Sequence, residues 1–104
     1  MVDCANLIEK IKQYNSQVDA AFIERAFNFA KERHEGQMRL SGDPYITHPL
    51  AVAEILAEIE QDQVTIAAAL IHDVIEDGKA DRKEIAEKFG EEIAYLVEGV
   101  TKLG

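Results

Sequence analysis

The sequence holds a single cysteine, Cys4. That excludes an internal disulfide and fits a reducing compartment. Basic residues are scarce: 11 Lys and Arg stand against 20 Asp and Glu, a formal net charge of −9. Such a surface repels the phosphate backbone of nucleic acid and an anionic membrane alike, so neither is expected as a partner. It leaves room for a small phosphorylated ligand, because a bound metal and a few local cations invert the potential of a pocket. Long apolar runs are absent too. The longest, Ile66 to Ile71, is far below the roughly 20 residues that span a bilayer. The start, Met1-Val2-Asp3-Cys4, has neither the basic region nor the apolar run of a signal peptide. The chain reads as soluble and cytoplasmic. Internal repeats, low-complexity tracts, linkers and sustained strand alternation are all lacking.

What is present is helical periodicity. The 104 residues, 47% of them hydrophobic, fit one domain with a core of packed helices. Leu7, Ile8, Ile11 and Tyr14 share one face of a first helix near 3–14, broken at Asn15-Ser16. Asp19 caps a second, whose apolar side is Phe22, Ile23, Ala26, Phe27, Phe29 and Ala30 and which ends at Gly36. Residues 37–47 hold Gly42, Asp43 and Pro44 and read as a loop, long for so compact a chain. Pro49 suits the first position of a third helix, with His48 near its N-cap. In that helix Leu50, Val52, Ala53, Leu56 and Ile59 are expected to face the core. A fourth helix starts at Asp62 and runs to about Asp77, before Gly78. Asp81 with Glu84 follows capping-box logic for a short fifth helix up to Gly90. A sixth runs from Glu91 through Ile93, Leu96, Val97 and Val100. The fold class is all-α.

The fourth helix carries the chemistry. Its segment Ile66–Ile71 is apolar almost all round, the mark of a buried helix. It runs straight into His72-Asp73-Val74-Ile75-Glu76-Asp77. Burying carboxylates without partners is expensive, and a divalent cation would compensate. His72 and Glu76 are four apart, as are Asp73 and Asp77, while Asp73 and Glu76 are three apart. Such pairs share a helix face. A His nitrogen beside hard carboxylate oxygens suits Mn²⁺, Fe²⁺ or Zn²⁺ better than Ca²⁺. The alternative is a solvated helix end, but carboxylates at a helix C-terminus oppose the dipole. From these residues alone both readings stay open. His48 alone reads as a cap or a partly buried core residue. His34, near the end of the second helix, is assigned a structural or supporting role. Arg39 in the loop is a candidate for phosphate binding or base stacking, against an ordinary exposed arginine. Tyr45 is expected to pack the loop on the core rather than touch a ligand.

An ordered set of motifs then resembles the N-terminal hydrolase domain of the RelA/SpoT family, within the wider HD superfamily. The pieces are Ala30 to Gln37 (AKERHEGQ), Arg39 to Pro49 (RLSGDPYITHP), Ala67 to Asp77 (AAALIHDVIED), and Phe89-Gly90 followed by Val97 to Leu103 (VEGVTKL). Together they run from about Ala26 to Leu103. The resemblance implies an HD-type bundle of about six helices over 1–104, the N-terminal part of a longer hydrolase domain. It implies removal of the 3′-diphosphate from guanosine tetra- or pentaphosphate, with Mn²⁺ bound. By position, His48, His72 and Asp73 are then metal ligands, and Glu76 and Asp77 serve catalysis on the attacking water. Arg39 lies against guanine, with Ser41 nearby in the nucleotide pocket.

Two departures qualify this. The family loop reads Arg-Lys-Ser-Gly, and here Leu40 stands in place of the lysine. A further Asp ligand of the family follows the Val-Thr-Lys-Leu segment, where this sequence stops. Three of four protein ligands are then present, and low activity is expected of the chain alone. Apolar surface left uncovered predicts a homo-oligomer. Two other functions compete: HD-type phosphohydrolysis of another nucleotide, and a non-catalytic helical module that binds a nucleotide or a protein.

Overall fold

The computed structural model describes residues 2–103, with side chains for 2–99. The expectation placed on the Val100 side chain lies outside the described residues. Six helices follow in order: α1 (Ala5–Tyr14), α2 (Ala20–Arg33), α3 (Thr47–Glu58), α4 (Gln63–Glu76), α5 (Arg82–Phe89) and α6 (Glu91–Leu103). The all-α expectation holds. Among the described residues the sole β contact is an isolated antiparallel bridge, Met38 to Pro44.

Side-chain caps set where three of the helices begin. Asp19 accepts from the Phe22 N–H at 3.0 Å, Asp62 from Thr65 at 2.8 Å and Asp81 from Glu84 at 2.9 Å. Each satisfies one of the free donors of a first turn. Glu84 does not complete a capping box, however. Its carboxylate is taken by the Arg33 guanidinium, which offers two nitrogens and thus outcompetes one backbone amide.

Helix α4 is the central element. Ile66, Ala67, Ala68, Leu70, Ile71 and Val74 are all buried on it, and it packs against α2, α3 and α6. From α2, Ile23, Ala26, Phe27 and Ala30 bury at spacings of three and four. Helix α1 buries Leu7, Ile8 and Ile11, and its Tyr14 hydroxyl donates to the Gln61 carbonyl at 2.6 Å. That bond ties α1 to the turn that leads into α4.

Helix α3 departs from expectation in two ways. It begins at Thr47, so His48 and Pro49 are its second and third residues rather than cap and first. Pro49 is still tolerated, because a third-position amide has no intrahelical partner either. Its buried stripe is Pro49, Ala53 and Ala57, spaced by four. Small residues let the helix sit close to its neighbours, so the larger Val52 and Ile59, expected inside, are exposed together with Ile55. Leu50 and Leu56 flank the core, half-buried.

Candidate metal centre

The last turn of α4 comes out at the rim of the bundle. Val74 stays buried there, while the Asp73 side chain is 15% exposed, His72 27% and Glu76 54%. The buried stretch before them fixes the axis and rotation of the helix, and with them the directions of these side chains. His72 lies between two carboxylates: Nδ1 is 3.3 Å from Asp73 Oδ1 and Nε2 is 3.1 Å from Glu76 Oε2. From α3, His48 Nε2 approaches Asp73 Oδ2 at 3.7 Å.

One donor atom each from His72, Asp73 and Glu76 fall within 4.8 Å of one another. Ligands about 2.0–2.2 Å from one ion stand at most roughly 4.4 Å apart. Side-chain rotation of His72 and the carboxylates would be needed to bring all three onto one cation, and the donor set of imidazole and carboxylates suits a divalent transition metal. Glu76, expected to serve catalysis, is thus within ligating reach as well. His48 stands beside the group through Asp73. Asp77 is the C-cap of α4, and its Oδ2 lies 3.5 Å from Gln37 Nε2. No basic residue lies in the last turn of α4.

Residues 37–46 form a small hairpin over this end of the bundle. The Tyr45 N–H donates to the Gln37 carbonyl at 2.9 Å and the Arg39 N–H to Asp43 at 2.8 Å. The Arg39 guanidinium donates to Thr47 Oγ1 at 3.2 Å, one residue before His48. Ser41 sits at the tip and donates to Asp43 Oδ2 at 3.0 Å. Neither Arg39 nor Ser41 bonds to the His72–Asp73–Glu76 group among the described residues. Leu40 projects fully into solvent.

Tyr45 does more than pack the loop. Its hydroxyl donates to Asp73 Oδ2 at 3.0 Å, across 28 positions of sequence. Burial first, then this bond and the nearby carboxylates, pushes its phenol up to about 12. Its ring lies 4.6 Å from that of His34, the one buried polar side chain among the described residues. His34 Nδ1 is 3.1 Å from Gln37 Oε1, and its Nε2 has no hydrogen-bond partner among the described residues. Sequence reasoning did not anticipate Gln37 or the Tyr45 bond, since no spacing rule joins a hairpin to a helix end. The buried histidine before Gly36 was the available signal.

Arg33 braces the segment after Asp77. It donates to the Lys79 carbonyl at 3.0 Å and to both oxygens of Glu84, and its guanidinium lies 4.5 Å from the Phe29 ring centre. The pairing holds the Glu84 carboxyl below its ordinary value. Beside the centre runs an apolar groove of about 280 Å³ between α3, α4 and α6, with His48, His72 and Asp73 at one end and Val52, Leu56 and Leu96 along it.

Comparison with known proteins places the chain in a family. Residues 26–104 match the family described as HD domain. The chain is 50% identical over 97 residues to the "GTP pyrophosphokinase rsh" of Brucella melitensis, covering 93% of this chain and 13% of that protein. It is 53% identical over 97 residues to the "Guanosine-3′,5′-bis(diphosphate) 3′-pyrophosphohydrolase" of Aquifex aeolicus, covering 93% and 14%. It is 46% identical over 93 residues to the "GTP pyrophosphokinase" of Myxococcus xanthus, covering 89% and 12%. The chain thus spans only about an eighth of the length of these relatives.

Proposed function

Since the chain belongs to the HD-domain family, matched over residues 26–104, we propose that it is a metal-dependent phosphohydrolase acting on guanosine tetra- or pentaphosphate. The observation that carries this reading is the convergence of His72, Asp73 and Glu76 donor atoms within 4.8 Å at the end of a buried helix. The relatives' names divide between pyrophosphate transfer to GTP and hydrolysis of the 3′-diphosphate. A rim of imidazole and carboxylates favours the hydrolytic reaction. It is built to hold a cation and a water rather than to cradle a triphosphate on backbone amides.

In this reading His48, His72 and Asp73 hold Mn²⁺ or a similar divalent metal, with Glu76 in reach as a further oxygen donor. When bound, the metal supplies charge neutralisation for the diphosphate and lowers the pKa of water. Glu76 and Asp77 orient and deprotonate the attacking water. Water adds to the phosphorus next to the ribose. The bond from that phosphorus to the ribose 3′ oxygen breaks, and the oxygen takes a proton as diphosphate leaves. Arg39 and Ser41 would meet the guanosine; the Thr47 contact already brings the Arg39 guanidinium to the start of α3, beside His48. The whole unit is read as one HD-type domain within 1–104, part of a longer hydrolase domain. The exposed Ile55 and Ile59 at the outer side and end of α3 support a homo-oligomer.

The test is direct. The purified chain with Mn²⁺ should release diphosphate and guanosine diphosphate from guanosine tetraphosphate, at the low rate expected above, and His72→Ala should abolish the release. Release of monophosphate from other nucleotides instead would move the reading to another HD-type phosphohydrolase. Bound Mn²⁺ without any turnover would favour a non-catalytic binding module, to which the apolar groove beside the centre also lends itself.

A further inference from the structure

Resting on the hydrolase reading, we propose that Gln37 and His34 form a positioning arm for the Asp77 carboxylate, with the His34 proton fixed on Nδ1. A carboxylate accepts hydrogen bonds and donates none. Gln37 must therefore turn its NH₂ toward Asp77 Oδ2, at 3.5 Å. Its amide oxygen then points the other way, toward His34 Nδ1 at 3.1 Å. That oxygen only accepts, so Nδ1 must carry the hydrogen. One acceptor-only group at the surface thus fixes a tautomer in the core.

The arm is rigid at its base. Gly36 has φ +83°, a left-handed turn that reverses the chain after α2. The Gln37 N–H donates to the His34 carbonyl at 2.9 Å, and the Gln37 carbonyl accepts from the Tyr45 N–H at 2.9 Å. Both backbone groups are thereby held, and only the side chain is left to reach Asp77. His34 itself is 2% exposed and leaves Nε2 without a partner among the described residues. A residue kept for packing alone would be better served by an apolar side chain, which buries no polar atom. The tilted contact with Tyr45, 4.6 Å between ring centres, fixes the imidazole plane. The Gln37–Asp77 separation is at the long end for a hydrogen bond. Bonds of this kind commonly tighten only with substrate in place.

Two sets of measurements test the arm. Nitrogen-15 NMR on the wild-type chain should find the His34 proton on Nδ1; a proton on Nε2 alone overturns the proposal. In Asp77→Ala the Gln37 side-chain amide and His34 Nδ1 resonances should shift together, and an unmoved pair overturns it. Neither readout needs turnover, so failure of the hydrolase reading is seen separately, as absent diphosphate release. In kinetics on guanosine tetraphosphate, Gln37→Ala and His34→Leu should lower kcat about tenfold, with KM and Mn²⁺ affinity unchanged. His34→Asn places an amide donor near Nδ1 and should recover most of that loss. Equal kcat for the Leu and Asn variants at matched thermal stability would reduce His34 to a packing residue and overturn the assignment.

Discussion

Tyr45→Phe removes one oxygen and leaves the ring in its tilted contact with His34. What goes is the hydroxyl bond to Asp73 Oδ2 at 3.0 Å. A hydrogen bond to a charged group contributes about 1.5–3 kcal/mol. The low end applies here, because Asp73 keeps His72 at 3.3 Å and His48 at 3.7 Å. The larger consequence concerns the metal. Asp73 loses the bond that holds its Oδ2, and loss of such an outer partner weakens metal binding by roughly 10–100-fold. At Mn²⁺ about 100 times the wild-type Kd, binding stabilises the fold by about 2.7 kcal/mol; a tenfold weaker site gains about 1.4 kcal/mol. For a domain of this size, the missing 1.3 kcal/mol or so removes roughly 5 °C or more from the Mn²⁺-induced rise in Tm. The assay is thermal unfolding with and without Mn²⁺, backed by calorimetric titration. Tyr14→Phe is the control. It loses a comparable hydroxyl bond, to the Gln61 carbonyl at 2.6 Å, with no link to the centre. It should lower Tm equally in both conditions. A Tyr45→Phe chain whose Mn²⁺-induced rise matches wild type would refute the idea that Tyr45 orients a metal ligand.

Other outcomes follow from the same geometry. Leu70→Ala, at a fully buried position in mid-α4, should cost about 2–5 kcal/mol in urea unfolding; under 1 kcal/mol would mean α4 is not the central packing element. Asp62 caps α4, and the Thr65 bond holds its carboxyl below the ordinary value. A depressed folded pKa means the cap's stabilisation is present above the unfolded value near 4 and disappears as pH falls through the folded one. Asp62→Ala should therefore cost about 1 kcal/mol at pH 7 and progressively less below pH ~4. An unchanged difference across that acid range would contradict the assignment. For self-association, Ile55→Glu with Ile59→Glu should shift a wild-type oligomer to monomer in light scattering. A wild-type monomer at high concentration would dispose of the homo-oligomer.

The bundle was legible because its signals are local. Asp19, Asp62 and Asp81 announce helix starts by chemistry confined to one turn, and each cap forms. The spacing of His72, Asp73 and Glu76 could be read for the same reason, since one helix carries all three. The errors lie where two elements compete. Val52 and Ile59 are as apolar as any core residue, but α3 approaches its neighbours through Pro49, Ala53 and Ala57. Close approach by small residues and burial of large ones are alternative solutions, and helical spacing does not choose between them. Glu84 was free to bond its own helix start until folding brought Arg33 beside it. Tyr45 and Gln37 reach Asp73 and Asp77 only because the hairpin folds back over α4, which no periodicity encodes.

The charge balance around α4 explains why a cation is the natural complement of this end of the bundle. Asp73, Glu76 and Asp77 sit where the helix dipole already places negative charge, and the last turn carries no basic residue. Arg33 would be a possible counterion from α2, but Glu84 and the Lys79 carbonyl hold its guanidinium. The Arg39 guanidinium rests on Thr47 rather than on a carboxylate. Neutral donors answer part of the need: the Tyr45 hydroxyl on Asp73 and the Gln37 amide near Asp77. They leave Glu76 to His72. The apolar length of α4 holds these groups together against their repulsion, because letting them separate would expose Leu70, Ile71 and Val74. Core burial of about 1.5–3 kcal/mol per such side chain thereby keeps these carboxylates on one helix end, and in the proposed reading a bound cation would offset their repulsion.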